Sequence, residues 1–180
     1  VKPQDFYNAH AFGRCDVATL QQVYDVQTTS TLYSTCLDVP TALTLADAER
    51  IAEVCSFAKK ELGFDFLLDI TSIDNYGEDP RWTIVYELYS LAHGQYLRLK
   101  TNVSEEKSEV PTITSVWRTA DWHEREIYDM MGVRFRGHPD LRRIIMWEGY
   151  PYFPLRKDFP LAGKPSEMPD VAFSKPAPIE

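Results

Sequence analysis

Apolar positions Ile51, Cys55, Ala58 and Leu62 fall on one helical face, and this periodicity predicts the clearest helix of the chain over 44–62. Thr44 reads as its cap with Asp47 three residues on, and Gly63 supplies a left-handed stop. Ahead of it, Leu32, Tyr33, Thr35, Cys36, Leu37 and Val39, closed by Pro40, suit a strand over 31–39 that ends at a turn. Behind it, 66–73 is a nearly continuous apolar run. The stretches 82–89 and 96–103 are rich in strand formers and join through His93-Gly94, which reads as a hairpin. Residues 112–117, behind Pro111, add another β-type run. The predicted fold is α+β: a mixed sheet of about four or five strands covered by helices. Residues 1–30 show no firm period and read as an N-terminal extension with a short helix at 19–25. There is no internal repeat.

The pattern changes after His138. Eight of the 12 prolines lie from Pro139 onward, and proline fixes φ and removes a hydrogen-bond donor, so this tail is neither helix nor inner strand. Yet it holds Trp147, Tyr150, Tyr152, Phe153, Leu155, Phe159 and Leu161, too many for a solvated linker. The expectation is an α+β domain at 31–138 followed by an extended C-terminal arm at 139–180 whose apolar teeth lie on another surface. Fully extended, 149–180 reaches on the order of 100 Å, enough to cross a neighbouring subunit.

Composition narrows the function. A chain of 180 residues with 44% hydrophobic content buries a real core, and its length favours one domain with appendages. The net charge of −8 argues against nucleic acid. That acidity belongs to the body: from Arg118 to Pro160 eight Lys and Arg face seven Asp and Glu, and the rest holds 11 against 20. No run of about 18 apolar residues occurs, so any membrane link is expected to run through a partner. Residues 1–10 lack the basic start and apolar core of a secretory signal, and a cytoplasmic or organelle-matrix location is expected. Cys15, Cys36 and Cys55 have none of the paired spacings that clamp zinc or an iron–sulfur cluster and read as ordinary thiols. No Gly-x-Gly-x-x-Gly or Gly-Lys-Ser/Thr phosphate loop is present.

The densest chemistry lies between 118 and 145. Thr119 or Asp121 is expected to cap a short helix through Met131, ended by Gly132, with Glu124 as a box-like partner of Asp121. Ala120, Glu124, Ile127 and Met131 share one stripe, while Arg125 sits one turn from both Asp121 and Asp129 and is expected between two carboxylates. Exposed, each such pair contributes about 0.3–0.5 kcal/mol; buried, loss of one partner costs roughly 3–5 kcal/mol. Gly137 and Pro139 suit a turn whose backbone His138 and Asp140 would bond. Arg142 and Arg143 offer planar forks for carboxylates, as at protein interfaces. Arg156, Lys157 and Asp158 repeat the theme in the tail. His123 and His138 lack further ligands at metal spacing and read as hydrogen-bonded structural histidines. No nucleophile is paired with a base, so no catalytic residue is predicted.

Glu124-Arg125-Glu126, then Asp129, Met130 and Met131, His138 after a six-residue gap, and Arg142, Ile144 and Ile145 resemble the signature of one family. It is the 30-kilodalton subunit family of respiratory complex I, the NADH:quinone oxidoreductase. Tyr128-Asp129 before Gly132, the run 137–143 and the tail run Leu155-Arg156-Lys157-Asp158-Phe159-Pro160-Leu161 agree with it. The resemblance spans 31–161 in order of elements and is specific from Trp117 onward. Tyr152-Phe153-Pro154 looks like a small insertion, and 1–30 and 165–180 match nothing.

The resemblance implies a hydrophilic peripheral-arm subunit that serves NADH:quinone oxidoreduction as scaffold. Its tail would pack on the large subunit that helps form the quinone pocket, beside the other peripheral-arm subunits. It implies no cofactor in this chain, with FMN and iron–sulfur clusters in partner subunits. The place would be the cytoplasmic face of a bacterial inner membrane, or the matrix side in a eukaryote. Glu124, Arg125, Glu126, Asp129, His138, Asp140, Arg142, Arg143, Arg156, Lys157 and Asp158 are then expected as structural and interface residues, in a buried or interfacial network. Tyr150, Tyr152, Phe153 and Phe159 read as interface anchors rather than a quinone-stacking strip. The nearest alternative is the equivalent subunit of a related membrane-bound hydrogenase or another complex-I-like dehydrogenase; the third is an autonomous enzyme using the Glu124 to His138 cluster.

Overall fold

The structure is a computed structural model that describes residues 27–33, 40–46 and 48–164. The helix expected at 19–25, the segment 34–39 of the expected first strand, Cys15, Cys36 and the arm beyond Lys164 fall outside the described residues.

Inward-facing alternation builds the main sheet. Strands β1 (Gln27–Tyr33), β2 (Pro40–Ala46), β3 (Phe66–Asp74), β4 (Trp82–Ser90) and β5 (Gln95–Val103) form five strands in the order β1-β2-β5-β4-β3. Pairing is antiparallel except between β2 and β5, so the sheet is mixed, as expected. The β4–β5 hairpin closes through His93-Gly94, with Gly94 at φ 59°. Leu67, Ile70, Ile84, Tyr86, Leu88, Leu97 and Leu99 are buried and share one core with helix α1 (Ile51–Lys60). The expected face of that helix holds, since Ile51, Cys55, Ala58 and Leu62 are all buried and Gly63 stands at φ 71°. Burial also pushes the Cys55 thiol up, which leaves it an inert apolar filler.

Two expectations are corrected. Pro40 opens β2 instead of closing a strand, and Thr44 pairs with Thr28 and Leu99 inside the sheet instead of capping a helix. Proline is tolerated at the first residue of a strand, and pairing on both sides overrides the capping signal. A 3-10 turn at Ala48–Arg50 leads into α1, whose cap residue Arg50 makes no side-chain cap bond. Second, 112–117 is not a strand. The short β6 (Glu109–Pro111) stops at Pro111 and pairs in parallel with β7 (Arg134–Arg136). Beyond it, Ile113 donates its N–H to the Glu124 carboxylate, and Val116 and Trp117 donate theirs to the Ile113 carbonyl. Ile113 and Trp117 are buried, so the run has a strand's hydrophobicity without its hydrogen bonds.

Helix α2 (Ala120–Met131) ends at Gly132, which stands at φ 80° and donates to the Tyr128 carbonyl. A Cβ there would lie 2.5 Å from Arg156 Nη2 and 2.8 Å from the Phe153 ring, so both the backbone and the tail's approach require glycine. Neither expected cap operates: Thr119 makes no side-chain cap bond, and Asp121 and Glu124 bond elsewhere. From 139 to 164 the chain has neither helix nor strand, and it returns to the domain. Leu155 donates its N–H to the Met130 carbonyl at 3.1 Å, and Arg156 Nε donates to the Met131 carbonyl at 2.6 Å. Among the described residues no helix is long and apolar enough to cross a membrane.

Candidate functional site

Three charge centres stand around α2 and the returning tail. The first is Asp129, which lies on the face of the helix opposite Ala120, Glu124 and Ile127 and is fully buried. Its Oδ2 accepts the N–H groups of Ile144, Ile145 and Met146 at 3.0, 2.6 and 2.9 Å, while Oδ1 accepts Arg143 Nη1 at 2.7 Å. Arg143 also donates to the carbonyls of Asp129 and Tyr152 and lies over the Tyr150 and Phe153 rings. Burial alone would raise the Asp129 carboxyl; the three amides and the guanidinium outweigh it and hold it below the usual carboxylate range.

The expected double flanking of Arg125 therefore does not form, because Asp129 turns toward these amides. Among the described residues Arg125 pairs with Asp121 alone, at 3.7 Å; it donates to the Arg142 carbonyl at 3.2 Å and stacks over Trp122.

The second centre joins residues far apart in sequence. Buried Arg81 binds Asp74 bidentately at 2.9 and 3.0 Å and reaches Glu105 at 2.5 Å and Asp158 of the tail at 3.0 Å. Asp74 also accepts the Lys157 N–H at 2.8 Å. Burial opposes ionisation of Asp74, but Arg81 and that amide prevail and hold its pKa low. The Arg81 pKa is raised, first by its bond to Asp74. Arg156 stacks on Phe153 and Trp82, and burial together with the charge of Arg81 lowers its pKa. Sequence reading missed Asp74 and Arg81. The available signal was phase: Asp74 follows Ile70 and Ser72 on the inward face of β3, where a carboxylate needs a partner.

The third centre is Glu124, fully buried on the stripe with Ala120 and Ile127. It accepts Ile113 N–H at 2.8 Å and the Thr112 hydroxyl at 2.5 Å, and His138 Nε2 lies 3.9 Å away. Asp140 donates its N–H to His138 Nδ1 at 3.0 Å, so the ring proton sits on Nε2, facing Asp121 at 3.4 Å. His138 is thus hydrogen-bonded through both ring nitrogens. Burial, reinforced by Asp121, pushes the Glu124 carboxyl up to about 7 against these donors.

Glu124→Gln follows as a test of this centre. A raised folded pKa means stability that is complete below the ordinary 4.5 and lost as pH rises through about 7. Glutamine offers the same acceptor to Ile113 and a donor to Thr112, so the variant should match the parent at pH 4.5. It should exceed it at pH 8, by on the order of 3 kcal/mol. Thermal unfolding across this range checks it; parallel curves would refute the burial argument.

Of the other expected residues, Arg142 and Asp140 pair at 2.7 Å on the surface, which contributes little stability, and Glu126 is exposed. His123 Nδ1 meets Asp69 at 3.1 Å. The tail aromatics stack on one another, with Trp147–Tyr150 centroids 4.5 Å apart and Tyr150–Tyr152 5.7 Å apart. Among the described residues no His/Cys/Asp/Glu group could hold a metal ion. What these centres do chemically is fix chain segments: carboxylates collect backbone N–H groups, and arginines collect carbonyls.

Solved structures share this fold. A structure of a membrane-bound sulfane sulfur reductase, an archaeal respiratory membrane complex, aligns with a TM-score of 0.67. It covers 80% of this chain and 82% of that one at 21% identity, a likeness of fold. The trypsin-resistant fragment of Nqo5 aligns with a TM-score of 0.56 at 31% identity, covering 69% of this chain and 94% of the fragment. The fold is thus an α+β module found in solved respiratory proteins. Among curated proteins, the NADH-quinone oxidoreductase C 2 subunit of Rhizobium meliloti is 52% identical over 134 residues, 73% of each chain. The NADH-quinone oxidoreductase C subunit of Geotalea uraniireducens is 46% identical over 119 residues, 66% of this chain and 73% of its own. The chain belongs to the family described as respiratory-chain NADH dehydrogenase, 30 Kd subunit, whose model matches residues 44–165.

Proposed function

We propose that this chain is a cofactor-free peripheral-arm subunit of a proton-pumping NADH:quinone oxidoreductase, and that it scaffolds the large quinone-pocket subunit while electrons pass from NADH to quinone. FMN and the iron–sulfur clusters belong to partner subunits in this reading, and the chain lies peripherally on the cytoplasmic face of a bacterial inner membrane, or on the matrix side in a eukaryote. The observation that carries it is the use made of the family signature. Glu124 and Asp129 are buried and bonded to backbone amides of 113 and 144–146, which is the work of a scaffold rather than of an exposed acid or base. In this reading the part of the arm beyond Lys164 continues onto the partner.

The equivalent subunit of a hydrogenase or another complex-I-like dehydrogenase has fold-level likeness on its side, through the sulfane sulfur reductase complex. The 52% identical relative named for NADH-quinone oxidoreductase favours the first reading. Affinity purification of the tagged chain from its own cells decides between them. The expected result is co-purification with a NADH-oxidising flavoprotein subunit and the large subunit, with NADH:quinone reductase activity. A large partner carrying nickel-ligating cysteines would overturn the choice of complex, and NADH oxidation by the isolated chain would overturn the scaffold role.

A further inference from the structure

The buried charge centres leave a surface cleft beside the start of α2 unexplained. Between the 114–119 turn and the first turn of α2 lies a cleft of about 770 Å³, whose walls include Thr114, Ser115, Arg118, Asp121, Trp122 and Pro139. This is room for a few side chains of a docked segment. Trp122 stands at its mouth 62% exposed, although it belongs to a helix whose neighbours Ala120 and Glu124 are fully buried. One side of the indole is occupied by the Arg125 guanidinium, 5.1 Å from the ring, and the remainder faces outward. Arg118 is exposed, and among the described residues its guanidinium has no hydrogen-bond or ion-pair partner.

The charges of the cleft do not cancel. Asp121, its acid, is already engaged by Arg125 at 3.7 Å and by His138 at 3.4 Å. What remains for a visitor is the cation of Arg118 and the exposed Ser115 hydroxyl beside an open indole, since the Thr114 hydroxyl is bonded to Thr112. Tryptophan and arginine are among the side chains most enriched where protein interfaces concentrate their binding energy, and an unpaired arginine beside a hydroxyl donor fits a carboxylate. The whole chain carries −8, so this positive, aromatic spot runs against the surrounding field and disfavours a second copy as occupant.

We propose that this cleft is the docking site for an acidic segment of the partner subunit, which sets a carboxylate on Arg118 and an adjacent apolar side chain against Trp122. The proposal rests on the reading of the chain as a subunit of a respiratory complex, and it moves the contact surface away from Glu124, Asp129 and Arg143, which are engaged within the chain.

The test uses the assembled complex purified through a tag on this chain. Trp122→Ala and Arg118→Glu should each lower recovery of partner subunits by on the order of tenfold or more. Lys60→Glu, an exposed change on α1, should leave it unaltered. Trp122→p-benzoylphenylalanine, irradiated in the complex, should cross-link to a peptide of another subunit that has Asp or Glu beside the attachment point. The isolated Trp122→Ala and Arg118→Glu chains should melt as the parent does, since both side chains are exposed. Parental recovery of both variants would overturn the proposal while leaving the subunit reading intact. So would cross-links confined to this chain, to a second copy of it, or to a segment without acids. Failure of the unaltered chain to bring down respiratory subunits would take both down together.

Discussion

Asp129→Ala is expected to destabilise the domain by roughly 3–5 kcal/mol, the cost of removing one partner from a desolvated ion pair. Four donors converge on this carboxylate: the amides of 144, 145 and 146 and Nη1 of Arg143. Alanine leaves the amides without an acceptor inside the fold and leaves Arg143 with carbonyl partners alone. Asp129→Asn keeps one oxygen for the amides but loses the charge, so it should fall between the two. The same reasoning fixes the pH dependence. The folded pKa lies below the ordinary 3.8, so the stabilisation is complete above that value and is lost as pH falls through the folded pKa. Urea unfolding at pH 7 and pH 3 measures it: the parent should lose part of its advantage over Asp129→Ala at the lower pH. A change under about 1 kcal/mol at pH 7 would mean that the Asp129 contacts carry no energy, against the expectation for a buried charge.

Arg81→Ala is expected to cost a similar roughly 3–5 kcal/mol by a different route. Arg81 forms ion pairs with Asp74, Glu105 and Asp158, with its guanidinium 5.1 Å from the Tyr76 ring and 4.6 Å from the Trp82 ring. Removing it buries an unpaired Asp74, for which the Lys157 amide is a lone remaining donor. Arg81→Lys keeps the charge yet cannot spread bidentate bonds over three carboxylates, so it should recover only part of the loss. Asp74→Asn combined with Arg81→Met should be less harmful than Arg81→Ala alone, because no uncompensated charge remains. Limited trypsin digestion gives a local readout. Cleavage after Arg156 and Lys157 should accelerate in Arg81→Ala, and an unchanged digestion rate would show that the tail is held by other contacts.

The sequence made periodic elements legible and partner choice illegible. Helix α1 and the β4–β5 hairpin could be read because their apolar residues repeat with one period and end at glycines that take positive φ. Strand β2 could not, because its identity depends on pairing with β1 and β5 rather than on anything in Pro40 to Ala46. The 112–117 run imitated a strand because Ile113 and Trp117 are buried, while its backbone turns to meet Glu124. Spacing brought Asp129 within reach of Arg125 but could not show that residues fifteen to seventeen positions on would claim it first. Arg81 and Asp158 lie 77 positions apart, beyond any local pattern. Arg118 and Trp122 carried no motif at all; only their exposure beside buried neighbours marks them.

The attachments of the returning tail have an order along the chain. Inward from Lys164 come Asp158 on Arg81, the Lys157 amide on Asp74, Arg156 on the Met131 carbonyl, Leu155 on the Met130 carbonyl, and last Arg143 on Asp129. A pull on the arm from a moving partner would therefore be borne in series, one fastening at a time, beginning at the outer end. The innermost fastening feels the load only after the others have released. The arm behaves as a zip with a fixed stop: it gives ground stepwise under strain, and the helix that carries Asp129 keeps its place.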